Sequence, residues 1–216
     1  NQPTATPNEQ TTDEPTVERS HTIQGVKKKQ IESDVATYEA ELQLLAEEAL
    51  RGEISQAVFL DEAGILIAQR ILLTFLETSG KTINQLTAAD REVIDQQTEE
   101  NLDALPLFYN SILEFEGNEN PEENIKNRVA MWGVTIFGIA ALGILHAAND
   151  LQRLGWRLGP TDHCRSCEDL SFVVATRKQW RDSGWRPQSR KLECKGYRCQ
   201  CEFFDADTLP IQGSFP

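Results

Sequence analysis

Residues 129–148 read VAMWGVTIFGIAALGILHAA, twenty residues without a charge, and how this run is read decides the fold. It is long enough to span a bilayer. It also carries glycines at 133, 138 and 143, five alanines and His146, and small residues let a neighbouring helix come close in lipid or in a protein core. A strong start signal lies upstream: Asn120 as cap, Pro121 at the first helical position, and Glu122 and Glu123 at the positive end of the helix dipole. The spacing predicts one helix from there to about Leu154. We read it as a buried core or oligomer-interface helix, with membrane insertion of 129–148 as the alternative and His146 as a hydrogen-bonded or interface histidine.

Three more helices precede it. Ile31, Val35, Tyr38, Leu42, Leu45 and Ala49 recur at intervals of three and four, and glutamates occupy the remaining faces. Gly52 ends or kinks that helix. A second helix spans Ser55 to Thr78, with Gly80 placed as its C′ residue. Thr87 and Asp90 then form a capping-box pattern that opens a third helix reaching about Phe115, which Pro106 bends or splits. The predicted class is mainly α: a helical body of about four helices followed by a small Cys-rich, zinc-knuckle-like module with short β strands. The boundaries are a disordered or partner-bound tail over 1–26, the body over 27–155, the module over 156–204 and a flexible tail over 205–216. No apolar run occurs in the first twenty residues, so no signal peptide is expected.

Charge divides the chain in the same place. The net charge is −13. Residues 1–159 hold 12 basic against 26 acidic side chains, and residues 160–216 hold 9 against 8. An acidic body repels a phosphate backbone. Only the module, with Arg177, Lys178, Arg181, Arg186, Arg190, Lys191, Lys195 and Arg198, offers a weak possibility of DNA contact.

All five cysteines fall in this module, as His163-Cys164-x-x-Cys167 and, twenty-six residues later, Cys194-x4-Cys199-x-Cys201. Five is odd, so intrachain disulfides alone leave one thiol over, which favours a metal over two bridges and a free cysteine. A Cys-x-x-Cys knuckle sets two thiolates on one side of a tight turn, and a distant pair completes a tetrahedral site. The segment between the pairs has few large apolar residues, and so small a module needs a cross-link. The expected cofactor is one structural zinc on Cys164, Cys167, Cys199 and Cys201, with Cys194 and His163 as alternates. Alternating strand residues face opposite ways, so Cys199 and Cys201 need a bend between them to share an ion. Trp156, Trp180 and Trp185 are expected to pack the module on the end of the fourth helix.

No catalytic motif stands out. The chain has no His-Glu-x-x-His, no nucleophile elbow and no phosphate-binding loop. Redox use of Cys164-Arg165-Ser166-Cys167 wants a strand–helix α/β setting that the surrounding pattern does not supply. No enzyme activity is expected.

The stretch from Trp156-Arg157 through Gly159-Pro160-Thr161-Asp162-His163-Cys164-Arg165-x-Cys167, Gln179-Trp180 and Gly184-x-x-Pro187 to Leu192-x-Cys194-x-Gly196-Tyr197-x-Cys199-x-Cys201 resembles the C-terminal part of tailed-bacteriophage head morphogenesis, or minor head, proteins. The strongest part covers roughly 128–202. The resemblance implies a non-enzymatic structural virion protein in or at the capsid or portal, located in the phage head and in the host cytoplasm during assembly. Its implied partners are other head proteins, major capsid or portal, in a homo-oligomer or multi-copy assembly. Cys164, Cys167, Cys199 and Cys201 match the family's cysteine pairs, and Cys194 an extra cysteine of some relatives. Gly196, Tyr197 and Arg198 stand where that family's ending carries a histidine. The alternatives kept beside this reading are a zinc-ribbon adaptor that binds nucleic acid and a single-span membrane-associated protein.

Overall fold

The computed structural model describes residues 17–160, 162–196 and 199–216. It is mainly helical, with short strands and clustered cysteines in the C-terminal quarter. The N-terminal tail expected over 1–26 lies partly outside the described residues; helix α1 covers Val17–Leu50. Val35, Tyr38, Leu42, Ala46 and Ala49 form its buried stripe. Gly52 follows in the left-handed region, at φ 71°. Helix α2, Gln56–Ser79, starts where the Ser55 side chain accepts the Val58 N–H and stops at Gly80, φ 68°. It buries Phe59, Ala63, Ile67, Ile71 and Phe75 at steps of four.

Helix α3, Ala88–Leu113, opens with the expected box. Thr87 N–H donates to Asp90 Oδ2 at 2.8 Å, and Asp90 N–H donates to Thr87 Oγ1 at 3.2 Å. The helix runs as one element through Pro106, without the split that the proline suggested.

Helix α4, Pro121–Leu145, carries most of the uncharged run and ends nine residues before the predicted Leu154. Three side chains stop it. Arg181 Nη1 donates to the Leu145 carbonyl at 3.0 Å, filling an acceptor left open at the helix end. His146 turns aside, its Nδ1 3.0 Å from Asp90 Oδ1. Arg177 Nη1 holds the Asn149 carbonyl at 2.8 Å. The freed residues Arg153–Arg157 become strand β1, the centre of an antiparallel sheet. Its neighbours are β2, Val174–Thr176, and β3, Glu202–Asp205. Short helices α5, Arg165–Leu170, and α6, Arg177–Ser183, complete the module.

Residues 205–216, expected as a flexible tail, fold back onto the module instead. Gln212 pairs with Val174 through two 3.0 Å backbone hydrogen bonds, and the Phe215 ring meets Trp180 edge-on at 4.8 Å. The apolar cost of exposing Trp180 and Phe215 together holds this segment down.

Two cores result, and α4 contributes to both. Ile125, Val129, Ile136 and Ile139 join the bundle core. Ala141 and Leu145 join a second core around Leu154, Trp156, Leu170, Trp180, Trp185 and Leu192. Trp156 and Trp180 stack at 5.9 Å, which is the packing role expected of them. The α4 glycines are the points of closest approach. A Cβ on Gly133 would lie 2.7 Å from Glu39 Cδ in α1, and one on Gly143 would lie 2.9 Å from the Phe75 carbonyl oxygen in α2. At Gly138 it would meet Gln188 Cβ of the module at an ordinary 3.4 Å. Among the described residues α4 is the helix long and apolar enough to cross a membrane, and half of its most apolar window is buried inside the protein.

Asp90 is the polar knot of the bundle. It is 1% exposed and receives the Lys81 ammonium at 2.7 Å besides Thr87 and His146. Burial opposes its ionisation, yet Lys81, Thr87 and His146 together hold its pKa down to about 2. Burial lowers the His146 pKa against the pull of Asp90, so the imidazole stays neutral.

Two outcomes follow. Gly143→Ala should destabilise the protein in urea by about 1–3 kcal/mol through overpacking, whereas Gly138→Ala should be neutral or gain up to about 1 kcal/mol of helix propensity; equal effects would show that close approach at 143 is not used. Both titrations favour stability at higher pH. The Asp90 contribution is complete above about pH 4 and is lost as pH falls toward 2. The His146 contribution is complete above about pH 6.5 and is lost below it. The stability gap between wild type and His146→Gln should therefore narrow as pH falls from about 7 to about 5, and a widening gap would reverse the assignment.

Candidate metal centre

The site begins where β1 ends. Gly159 lies so close to Gln200 that a Cβ would sit 2.7 Å from the Gln200 carbonyl carbon. This contact brings the segment that follows β1 against the one that precedes β3. Cys164 then caps α5 with φ −77° and ψ 158°. Its carbonyl accepts the N–H groups of Cys167 at 3.0 Å and Glu168 at 3.1 Å. That turn sets the Cys164 and Cys167 sulfurs 3.5 Å apart, as a knuckle requires.

Opposite them, Lys195 and Gly196 take consecutive positive φ values of 54° and 81°. Gly196 tolerates no side chain, because a Cβ would lie 2.8 Å from the Gln188 carbonyl carbon. Glu193 N–H donates to Ser166 Oγ at 3.3 Å and ties this loop to α5. Cys199 and Cys201 precede β3, which starts at Glu202, so the alternation of a strand does not separate them.

The result is two three-thiol clusters that share one member. The sulfurs of Cys164, Cys167 and Cys194 lie within 4.8 Å of one another, and so do those of Cys167, Cys199 and Cys201. These clusters could hold a metal ion. Three of the four favoured residues, Cys167, Cys199 and Cys201, fall in one cluster, and Cys164 joins the alternate Cys194 in the other. The alternate His163 stands beside the second cluster, its Nδ1 3.8 Å from Cys201 Sγ. Its Nε2 is 3.0 Å from the Gly159 carbonyl oxygen. That oxygen can only accept, so Nε2 carries the proton and Nδ1 the lone pair.

The electrostatics suit a cation. Hydrogen bonds from Cys167 and Cys199, helped by the Gly159 N–H and the Trp156 indole and opposed by burial, pull the Cys201 thiol down to about 3. Its thiol neighbours Cys199 and Cys201, with burial, push Cys167 strongly the other way. Burial raises Cys194 to about 11. Burial resists ionisation of Cys164, but the backbone N–H groups of Cys194 and Cys167 lower its pKa. Neighbouring thiolates cannot all ionise in a buried space without a positive charge among them. Trp156, assigned from sequence to packing, is buried in the module core, and its indole nitrogen has no hydrogen-bond partner among the described residues.

Much of the basic surface is consumed internally. Arg177 is 6% exposed and bonds the Asn149 carbonyl and Gln152. Arg181 grips Asp150 with two bonds of 2.9 and 3.0 Å. Lys178 pairs with Asp182, Arg190 with Glu100, and the Lys191 ammonium lies 4.1 Å above the Trp185 ring. Arg186 is desolvated beside Glu100, Lys195 is exposed, and Arg198 lies outside the described residues.

Fold and site together define a helical-bundle protein with a metal-competent cysteine module built onto its last long helix. The chain matches no protein-family model, no curated protein and no solved structure.

Gly159→Ala should weaken metal binding by about 10–100-fold, the range typical of lost outer-shell support, as read by competition with a chromophoric chelator. An affinity within twofold of wild type would mean that the Gly159–Gln200 approach does not shape the site.

Proposed function

We propose that the chain is a non-enzymatic structural protein that works through protein–protein contacts, its C-terminal module held in shape by zinc. The observation that carries this reading is the convergence of five cysteines inside a module whose Arg177, Arg181 and three tryptophans are already used by its own fold. Thiolate-rich shells select zinc among common divalent ions and leave it structural rather than catalytic. The energetics agree. A core of this size supplies about 3–5 kcal/mol, while a structural zinc site supplies apparent binding energies of about 10–16 kcal/mol.

The setting we propose is the head of a tailed phage, at the capsid or portal and in several copies, because the cysteine pattern and its flanking glycines and tryptophans resemble the head morphogenesis proteins. Leu107, Leu151 and Phe172, each more than 70% exposed, supply apolar area for such contacts. A nucleic-acid adaptor is less well supported, since Arg177 and Arg181 are spent inside the module. A membrane span is less well supported, since Gly133 and Gly143 of α4 are each met by a neighbouring helix of the same chain.

Co-expression with the capsid and portal proteins of the same genome tests the proposal. The chain should sediment with assembled heads at a fixed copy number, and Cys201→Ser should remove it from them. Heads that assemble while the chain stays wholly in the soluble fraction would overturn the reading, and salt-dependent DNA binding by that fraction would favour the adaptor.

A further inference from the structure

We propose that the cysteine cluster holds two thiophilic metal ions, with Cys167 as the thiolate bridging them. Cys164 and Cys194 would complete one side and Cys199 and Cys201 the other, with His163 standing beside Cys201 but outside the mutually close three. This rests on the metal-binding reading of the same module and goes beyond its single ion.

The first argument is geometric. With metal–sulfur bonds of about 2.3 Å, the sulfurs of one tetrahedral site lie about 3.8 Å apart. Four thiols around a single ion would therefore form one mutually close set. Among the described residues no such four exist: there are two sets of three, and Cys167 belongs to both. A single ion in either set leaves two cysteines of the other unused.

Those cysteines are not built as spares. The Cys164 and Cys194 sulfurs lie within 4.8 Å of each other and of Cys167. The Glu193 N–H donates to Ser166 Oγ at 3.3 Å and ties the Cys194 loop to the helix that carries Cys167. On the far side the Gly159–Gln200 approach sets the segment of Cys199 and Cys201 against that of Cys164. Supports of this kind around ligand-bearing segments serve both ends of the cluster.

The sixth donor is His163. A ligating imidazole characteristically gives its other ring N–H to a backbone carbonyl. The Nε2–Gly159 contact at 3.0 Å does this, and the free Nδ1 lies 3.8 Å from Cys201 Sγ. Two tetrahedra sharing a corner need seven donors. The five thiols and His163, which lies beside Cys201 but outside the mutually close three, make six, and solvent supplies the seventh on the side of Cys164 and Cys194, both only partly buried. Five thiolates and two divalent ions leave a single net negative charge.

Metal content of the full chain, reconstituted anaerobically with Zn²⁺ and weighed by native mass spectrometry, tests this, with Cd²⁺ as a spectroscopic probe. Wild type should bind two ions, and ¹¹³Cd should give two resonances. Cys194→Ser should bind one ion and keep the resonance of the His163 side. One ion in wild type, retained in Cys194→Ser, would overturn the two-ion cluster and leave the single structural zinc intact. No ion in reduced wild type would overturn both. Cys167→Ser should lose both ions; because Cys167 is also a buried core residue, the decision rests on wild type and Cys194→Ser.

Discussion

Helix α4 touches α1, α2 and the C-terminal module within 25 residues, and the rest of the structure depends on its doing so. Three partners can crowd one cylinder only where the cylinder is narrow. Gly133 admits the Glu39 side chain and Gly143 admits the backbone of α2 at Phe75, while the module meets Gly138 at an ordinary distance through Gln188. A helix this rich in glycine is a poor helix former by propensity. Burial of Ile125, Val129, Ile136 and Ile139 in the bundle core offsets that cost. The same run of small and apolar residues that reads as a membrane span serves here as the shared wall of two cores.

The end of α4 joins the two halves by polar contacts as well. Asp90 gathers Lys81, Thr87 and His146 on the bundle side. One turn away, Arg181 of α6 holds the Leu145 carbonyl and Asp150. A buried carboxylate with three donors is costly to leave partly satisfied, so the arrangement specifies where the helix stops. Because α4 stops there, Arg153–Arg157 is free to become the central strand, and both cysteine-bearing segments attach to the ends of that sheet.

The metal centre inherits its shape from this scaffold. Gly159 against Gln200 aligns the two chain segments, and Trp156 lies in the module core. The contacts that stabilise the core also orient the cysteines, so an ion held by them would couple its binding to the folding of the module.

The sequence by itself determined the local events. Helical periodicity marked α1 and α2, Thr87 and Asp90 announced the start of α3, Pro121 announced α4, and the cysteines announced a cross-linked module, because each of these signals acts within a turn or two of chain. The convergence of the cysteines on one place was legible from their spacing. Their division was not: that Cys167 sits in two clusters, that Cys194 faces Cys164, and that His163 turns toward Cys201 depend on the Gly159–Gln200 approach across 41 residues. Tertiary structure also decided that α4 ends at Leu145, since a helical pattern carries no mark of the distant Arg181 that caps it. It decided that residues 205–216 pack down, since the partner of Phe215 is Trp180, thirty-five positions away. Periodicity reports which face of an element is apolar; only packing reports what covers that face.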